Sequence, residues 1–148
     1  MEKMKMLLVD DEERFLSTTK KLLAKKGYDA VTAASGAEAL EKIRVQNIHV
    51  VILDVKMPGM DGNATLKEIK RQYPLTEVIM LTGHATMESA IDGLKSGAID
   101  YLMKPADIDE IIQKAEEAFE KRQGLEEKIR VARMRKLMKS PSEIIQET

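Results

Sequence analysis

The chain contains no cysteine, which excludes disulfides and thiolate metal sites and fits a reducing compartment. It also lacks any run approaching the roughly 20 apolar residues that a transmembrane helix needs. The first residues, MEKMKMLLVDDEE, have no apolar region of the signal-peptide kind before the first acids. These absences predict a cytoplasmic protein without a membrane span.

The chain also has no excess of charge of either sign. Lysine and arginine total 24 against 25 aspartates and glutamates, which gives a net charge of -1. The chain as a whole therefore has no field that would draw it to nucleic acid or to an anionic membrane. Its 148 residues are enough for one compact domain with a tail to spare.

The stretch VVILDVKMPGMDG, residues 50–62, places a short apolar run directly before Asp54. The Pro-Gly pair that follows marks a loop, so the pattern predicts a buried parallel strand that delivers one carboxylate to its C-terminal end. Residues 4–9 repeat this layout and end in Asp10 and Asp11. Open α/β sheets bind their ligands at this end of the strands.

Strands and helices alternate along the rest of the chain. Further strands are predicted at residues 29–33, 77–81 and 99–103, and helices follow at residues 12–26, from Ser35, from Asp61, after Thr86 and from Asp107. The fourth helix has one apolar face made by Met87, Ala90, Ile91 and Leu94. Five such units predict an α/β fold, a doubly wound parallel sheet. A flavodoxin-like order 2-1-3-4-5 would place strands one and three side by side, so that the three acids converge.

The fifth helix does not stop where a compact domain would end. Gly124 costs about 1 kcal/mol in a helix interior, yet helix-forming residues continue to about Lys139, before Ser140 and Pro141. The pattern fits one long helix that projects past the domain, or two helices kinked at Gly124. We expect a domain over residues 1–122 and a helical extension, with no independent fold, over residues 123–148.

The polar residues at the strand ends suggest phosphoryl chemistry. Asp10, Asp11 and Asp54 would repel one another unless a hard cation lay between them, and Mg2+ prefers such oxygen ligands. Thr82 and Lys104 follow strands four and five and could hold phosphoryl oxygens. Asp54 is the best placed of the acids to be a nucleophile.

Each of these residues also has a plainer interpretation. An acid after a strand is often a helix cap, as Asp11 or Glu12 would be if taken alone. Thr82 alone would be a turn residue, Lys104 a solvated lysine, and His84 a loop histidine with no second ligand nearby. Their joint occurrence at four strand ends favours the functional interpretation.

The strand ends carry four motifs in a characteristic order and spacing, namely LLVDDEE, VILDVKMPGMDG, LTGHAT and DYLMKP. Over residues 4 to about 122 the chain resembles the receiver domain of two-component response regulators. The GHAT loop and the DYLMKP segment resemble receivers of the nitrogen-regulation type. The resemblance implies a phosphoprotein that receives a phosphoryl group from a sensor histidine kinase or a phosphotransfer protein.

The resemblance also assigns roles to individual residues. Asp54 would be the phosphoacceptor, and Mg2+ would be held by Asp10, Asp11, Asp54 and the backbone carbonyl of Lys56. Thr82 and Lys104 would bind the phosphoryl oxygens, Thr82 and Tyr101 would form the switch, and the bond between Lys104 and Pro105 would be cis. On phosphorylation Thr82 would move, Tyr101 would turn, and the surface of helix four, strand five and helix five would change.

Lys56 and His84 lie two residues after the phosphoacceptor and after the switch threonine. These positions flank the path of attacking water in the family, so we expect both side chains to tune dephosphorylation. The alternative is that both are solvated loop side chains.

The output of the chain is open between two classes. In one, the extension forms a homodimer or docks an unknown downstream protein, with Leu125, Ile129, Ala132 and Lys136 as an imperfect seam. In the other, the basic segment IRVARMRKLMK contacts nucleic acid or an acidic membrane surface. The first is favoured, because the segment has no aromatic residue and no reader fold.

An enzyme is a third class, namely an aspartate-based phosphatase of the haloacid dehalogenase type. Such an enzyme needs a second acid two residues after its nucleophile, and that position is Lys56. The chain is therefore expected to store a phosphoryl group and not to turn over phosphate esters.

Overall fold

The computed structural model describes residues 3–55, 61–83 and 87–138, without the side chains of Thr82, Met87 and Ser89. The strands are β1 (Lys5–Val9), β2 (Asp29–Ala33), β3 (Val50–Asp54), β4 (Glu77–Thr82) and β5 (Asp100–Met103). The helices are α1 (Glu13–Lys25), α2 (Gly36–Val45), α3 (Gly62–Gln72), α4 (Met87–Lys95) and α5 (Ile108–Leu137). The predicted alternation of strands and helices is confirmed.

All neighbouring strands are parallel, and they stand in the predicted order β2-β1-β3-β4-β5. Alternate residues of each strand point to opposite faces, so β3 sends Val50 and Ile52 to one core and Val51 and Leu53 to the other. Helices α1 and α5 cover the first core, and α2 and α3 cover the second. Burial on both faces explains why the inner strands β1 and β3 are nearly continuous apolar runs.

Side-chain caps fix the start of three helices. Ser35 Oγ accepts a hydrogen bond from the Glu38 N–H at 3.1 Å, and Glu38 accepts one from the Ala34 N–H, so the predicted cap of α2 forms. Asp61 Oδ1 accepts from the Ala64 N–H at 2.8 Å at the start of α3. Asp107 Oδ1 accepts from the Asp109 N–H at the start of α5, at the longer distance of 3.4 Å.

Two residues of the apolar face predicted for α4 are not buried against the sheet, and Met87 of that face lies outside the described side chains. Ile91 and Leu94 are 44% and 47% exposed, and among the described side chains and glycines of the helix only Gly93 is buried. A Cβ at Gly93 would lie 3.4 Å from Met80 Cγ, so the helix approaches β4 through its backbone. This close approach turns the larger side chains toward solvent.

Helix α5 runs without a break through Gly124, which settles the choice between one helix and a kinked pair. Gly124 is exposed, and a Cβ there would meet nothing within 4 Å, so no packing requirement explains the glycine. Of the helices that the structure describes, none combines the length and apolar character needed to cross a bilayer.

Arg122 fixes α5 where the helix leaves the sheet. Its buried guanidinium donates to the Ile48 carbonyl at 2.7 Å, to Asn47 Oδ1 at 3.3 Å and to Thr76 Oγ1 at 3.4 Å. Nε donates to Glu126 Oε1 at 2.7 Å, one turn further along the helix. The helix is thereby tied to the residues just before β3 and β4, at the amino edge of the sheet.

Candidate functional site

Four strand ends meet at the carboxyl edge of the sheet. Val9 of β1 is in register with Leu53 of β3, so Asp10 follows its strand beside Asp54. Asp54 is in register with Leu81, and Thr82 with Met103, so the ends of β4 and β5 complete the same edge. The parallel order therefore brings together the residues that the sequence placed at strand ends.

Three carboxylates form a tight group at this edge. One oxygen each from Asp10, Asp11 and Asp54 can be chosen so that all lie within 4.8 Å of one another. Asp10 and Asp54 are buried, whereas Asp11 is exposed. Buried carboxylates at this distance raise each other's energy unless a positive charge lies near them.

Lys104 supplies one such charge. Its Nζ donates to Asp10 Oδ2 at 2.5 Å and lies 3.5 Å from Glu12 Oε1. Burial would by itself lower the pKa of Lys104, but the hydrogen bond and charge of Asp10, together with the charges of Asp54 and Glu12, raise it above the ordinary value. The ammonium is therefore held in its protonated form beside the acids.

Two residues around Lys104 have roles that the sequence did not reveal. Phe15 of α1 lies beneath the ammonium, with Nζ 4.3 Å from the ring centroid, a distance at which a cation is attracted to the ring. The Glu12 N–H donates to Asp10 Oδ1 at 2.9 Å and orients that carboxylate. The periodicity of α1 cannot indicate this contact, because Lys104 follows β5, far from Phe15 in the chain.

Gly62 lets α3 begin against the end of β3. Its N–H donates to the Val55 carbonyl at 2.8 Å, and a Cβ would lie 2.4 Å from Val55 Cα and 2.6 Å from the Asp54 carbonyl oxygen. No side chain fits there without movement of the backbone that carries Asp54. The sequence indicated a helix start at this position but not the steric reason for glycine.

The structure describes the remaining predicted site residues only in part. Tyr101 is half-buried beside the core under α2 and α3, and the peptide bond between Lys104 and Pro105 is cis, as the resemblance implies. Thr82 ends β4, but its side chain lies outside the description. Lys56 and His84 lie outside the described residues, so their predicted roles stay predictions.

The donor set suits a hard divalent cation. It offers only carboxylate oxygens, it contains no sulfur or imidazole within the described residues, and one acid faces solvent. Mg2+ binds through a few carboxylates and keeps several waters, which matches a partly open site. The residues present therefore fit the predicted ion.

Comparison with known proteins identifies relatives over most of the chain. The model of the response regulator receiver domain matches residues 6–116. The transcriptional regulatory protein ZraR of Escherichia coli (strain K12) is 42% identical over 113 residues, which are 76% of this chain and 26% of ZraR. The DNA-binding transcriptional regulator NtrC of the same strain is 39% identical over 112 residues, 76% of this chain and 24% of NtrC. The chain thus spans about a quarter of the length of these relatives.

Solved structures of receiver domains have the same fold as this chain. The receiver domain protein (CheY-like) from Methanospirillum hungatei JF-1 has a TM-score of 0.79 and 31% identity, covering 83% of this chain and 98% of that one. The receiver domain of NtrX from Brucella abortus has a TM-score of 0.73 and 36% identity, covering 78% of this chain and 98% of that one.

Proposed function

Because the chain belongs to the response regulator receiver domain family, we propose that it accepts a phosphoryl group on Asp54 from a sensor histidine kinase or a phosphotransfer protein. One observation carries the proposal. The carboxylate of Asp54 ends β3 within reach of Asp10 and Asp11, and Lys104 lies on the same edge of the sheet. A lone carboxylate is a weak phosphoryl acceptor; Lys104 supplies positive charge beside Asp54, and Asp10 and Asp11 could hold a cation that supplies more.

Asp10, Asp11 and Asp54 would hold Mg2+, together with the backbone carbonyl of Lys56. The ion would neutralise charge on the phosphoryl group and on the acids. In the transfer the Asp54 oxygen forms a bond to phosphorus while the bond from phosphorus to the donor's histidine nitrogen breaks, and the electron pair of that bond stays on the imidazole. Asp10 is buried and already accepts hydrogen bonds from the Glu12 N–H and from Lys104, so its carboxylate is held in a fixed orientation beside the other two acids.

Lys104 and Thr82 would bind the phosphoryl oxygens. Lys104 needs only to exchange Asp10 for a phosphoryl oxygen, because both lie at the same edge, and its raised pKa keeps it charged during the exchange. Thr82 would move toward the new group, and Tyr101 would turn into the space that it leaves. Phosphorylation then shifts the balance between two arrangements of α4, β5 and α5.

The output surface includes exposed apolar residues on α4 and β5. Ile91, Leu94 and Met103 are exposed on these two elements and offer apolar surface to a partner. We place a downstream protein partner there. The extension of α5 adds a second surface, for a partner or for a second copy of the chain.

We assign the receiver domain to residues 1–122 and the helical extension to residues 123–148, and we place the protein in the cytoplasm, where sensor kinases present their phosphohistidines. The chain assists its own phosphorylation and dephosphorylation but is not a turnover enzyme. Contact of the basic extension with nucleic acid or a membrane is the alternative output. It has one observation in its favour, because Arg133, Arg135 and Lys136 are exposed.

The phosphoacceptor role is tested with acetyl phosphate and Mg2+. We expect one phosphoryl group per chain, labile to alkali and hydroxylamine, in the wild type, none in Asp54→Asn, and an unchanged yield in Asp29→Asn. Asp29 is a matched control because it lies at the opposite edge of the sheet, at the start of β2. Labelling that persists in Asp54→Asn, or multiple turnover of unrelated phosphate esters, would overturn the proposal, and the second result would favour a phosphatase.

A further inference from the structure

The ring of Phe15 lies against the lysine that is assigned to the phosphoryl group. The Lys104 Nζ lies 4.3 Å from the centroid of this ring. The ring is partly buried and packs on the core that α1 and α5 cover, so packing fixes its position. An ammonium over an aromatic face is attracted by the electron density of the ring. Phe15 is therefore a fixed and uncharged partner of Lys104.

In the part of the chain that the structure describes, the ammonium contacts three side chains, and Mg2+ would affect them differently. Asp10 Oδ2 accepts from Nζ at 2.5 Å, but this carboxylate belongs to the acids that fit Mg2+. Glu12 Oε1 lies 3.5 Å from Nζ, and the Glu12 side chain is 67% exposed, so water competes with this pair. The ring of Phe15 offers no ligand to the metal. The contact with Phe15 is thus the one that the ion does not compete for.

A lysine that lost Asp10 to the metal would move away from the site if nothing else held it. Mg2+ and the ammonium repel each other, and the flexible lysine stem can carry the charge into solvent. The Lys104 side chain is 17% exposed, so it is accessible to water from one side. Its return to a phosphoryl oxygen would require the stem to be ordered again, at a loss of entropy. A ring face that keeps the ammonium at the edge avoids this loss.

We propose that Phe15 is a positioning residue for phosphoryl transfer, and that its ring holds the Lys104 ammonium at the carboxyl edge of the sheet when Mg2+ replaces the ammonium at Asp10. The inference rests on the proposed function, since it takes Lys104 to bind phosphoryl oxygens at Asp54. Phe15 acts through Lys104 and is a ligand neither of the metal nor of the phosphoryl group. Leucine at this position would keep apolar packing on the core but would remove the face of the ring.

The contact can be measured without phosphorylation, because protons above a ring face resonate upfield of their usual position. Lysines are labelled with ¹³C at Cε, and Lys104→Met identifies the Lys104 signal. We expect the Cε protons of Lys104 to be displaced upfield and to keep most of this displacement at saturating Mg2+. The displacement should vanish in Phe15→Leu and remain in Phe119→Leu. Its loss on addition of Mg2+, or its absence from the metal-free wild type, would overturn the proposal.

Phe119 is the matched control, because the chain has only 2 phenylalanines. The ring of Phe119 packs on the same core as that of Phe15 and contacts the imidazole of His49, with the centroids 5.0 Å apart. His49 directly precedes β3, at the edge of the sheet opposite to the acids. A change at Phe119 thus reproduces a loss of aromatic packing in this core without touching Lys104.

Progressive fluorination of the Phe15 ring tests the attraction itself while the shape of the ring is nearly kept. Fluorine draws electron density from the face of the ring and so weakens its attraction for a cation. Labelling of Asp54 by acetyl phosphate at saturating Mg2+ should slow with each added fluorine, by about three- to tenfold for the most fluorinated ring. The same replacements at Phe119 should leave the rate unchanged. A rate that does not depend on fluorination of Phe15 would overturn the proposal.

The affinity for Mg2+ distinguishes a positioning role from damage to the fold. A distorted site would bind Mg2+ more weakly, whereas Phe15→Leu only releases an ammonium that repels the ion. We therefore expect Phe15→Leu to bind Mg2+ at least as tightly as the wild type in calorimetric titration, although Asp54 is labelled more slowly. Weaker binding together with slower labelling would contradict the assigned role. A wild type that is not labelled at Asp54 would overturn the proposed function and with it the role in transfer, but the Lys104 resonance would still report the contact.

Discussion

The ammonium of Lys104 donates to Asp10 Oδ2 at 2.5 Å and so joins the end of β5 to the end of β1. The lysine that is assigned to the phosphoryl group thus already neutralises one of the acids assigned to Mg2+. Metal binding and the lysine compete for the same buried carboxylate. Substitution of Lys104 should therefore change both the affinity for Mg2+ and the pH dependence of stability.

Lys104→Met should bind Mg2+ more tightly than the wild type, by about tenfold, because no ammonium then repels the ion or occupies Asp10. Phosphorylation of Asp54 should nevertheless become slower, since a phosphoryl-binding charge is lost. Calorimetric titration with Mg2+ measures the first effect. Lys114→Met is the matched control, because Lys114 pairs with Asp100 away from the site, and weaker Mg2+ binding in Lys104→Met would refute the competition.

The stability that the Lys104–Asp10 pair provides should fall at alkaline pH. The pKa of Lys104 is raised in the folded protein, so folding favours its protonated form. That stability is fully present below the pKa of an unfolded lysine, about 10.4, and is lost as pH rises through the higher folded value. The difference in unfolding free energy between wild type and Lys104→Met should stay constant from about pH 7 to 9 and shrink above about pH 10.4. Urea unfolding across this range measures it, and a difference that declines below pH 9 would contradict the assignment.

Gly62→Ala should destabilise the protein by about 1–3 kcal/mol, because the added methyl group overlaps the backbone of Asp54 and Val55. It should also slow phosphorylation, since the strand end that carries Asp54 must move. Gly124→Ala is the matched control. Its methyl group meets nothing within 4 Å in the middle of α5, so it should stabilise the helix by about 1 kcal/mol. Chemical unfolding of both variants gives the comparison, and equal changes would show that Gly62 has no steric role.

Arg122→Met should destabilise the protein by about 2–4 kcal/mol, because the buried Ile48 carbonyl loses one of its two donors, keeping only the Thr76 hydroxyl, and that hydroxyl loses the donor from Arg122. Arg130→Met removes an exposed arginine that pairs with Glu127 on the same helix, and should leave the free energy of unfolding nearly unchanged. Hydrogen exchange should show the loss of protection in Arg122→Met concentrated at the amino ends of β3 and β4. A uniform loss across the sheet would argue against a local anchor.

Most of the fold was predictable because the relevant signals are local. The inner strands β1 and β3 are apolar runs bounded by polar residues, and Ser35, Asp61 and Asp107 cap helices at the predicted positions. The order of the strands cannot be read from periodicity and was expected as the flavodoxin-like order for five alternating units. The meeting of Asp10, Asp11 and Asp54 at one edge follows from that order.

What the sequence could not reveal depends on residues far apart in the chain. The partners of Arg122 include Asn47, Ile48 and Thr76, separated from it by 75, 74 and 46 positions. Nothing in the spacing of α5 distinguishes this arginine from the exposed ones that follow. The exposure of Ile91 likewise depends on how closely Gly93 approaches Met80, which a helical pattern does not contain.

Because Arg122 anchors α5 at the edge of the sheet, a tilt of the helix at this residue displaces its far end by a larger distance. The arm from Arg122 to Leu137 is about 22 Å long, so a tilt of about 5° at the root would displace the tip by about 2 Å. Rearrangements too small to disturb the packing of the sheet would thus become displacements of the size that separates contact from no contact at the tip. A small change in packing at the root of α5 would in this way produce a larger displacement of Leu137 at the far end of the helix.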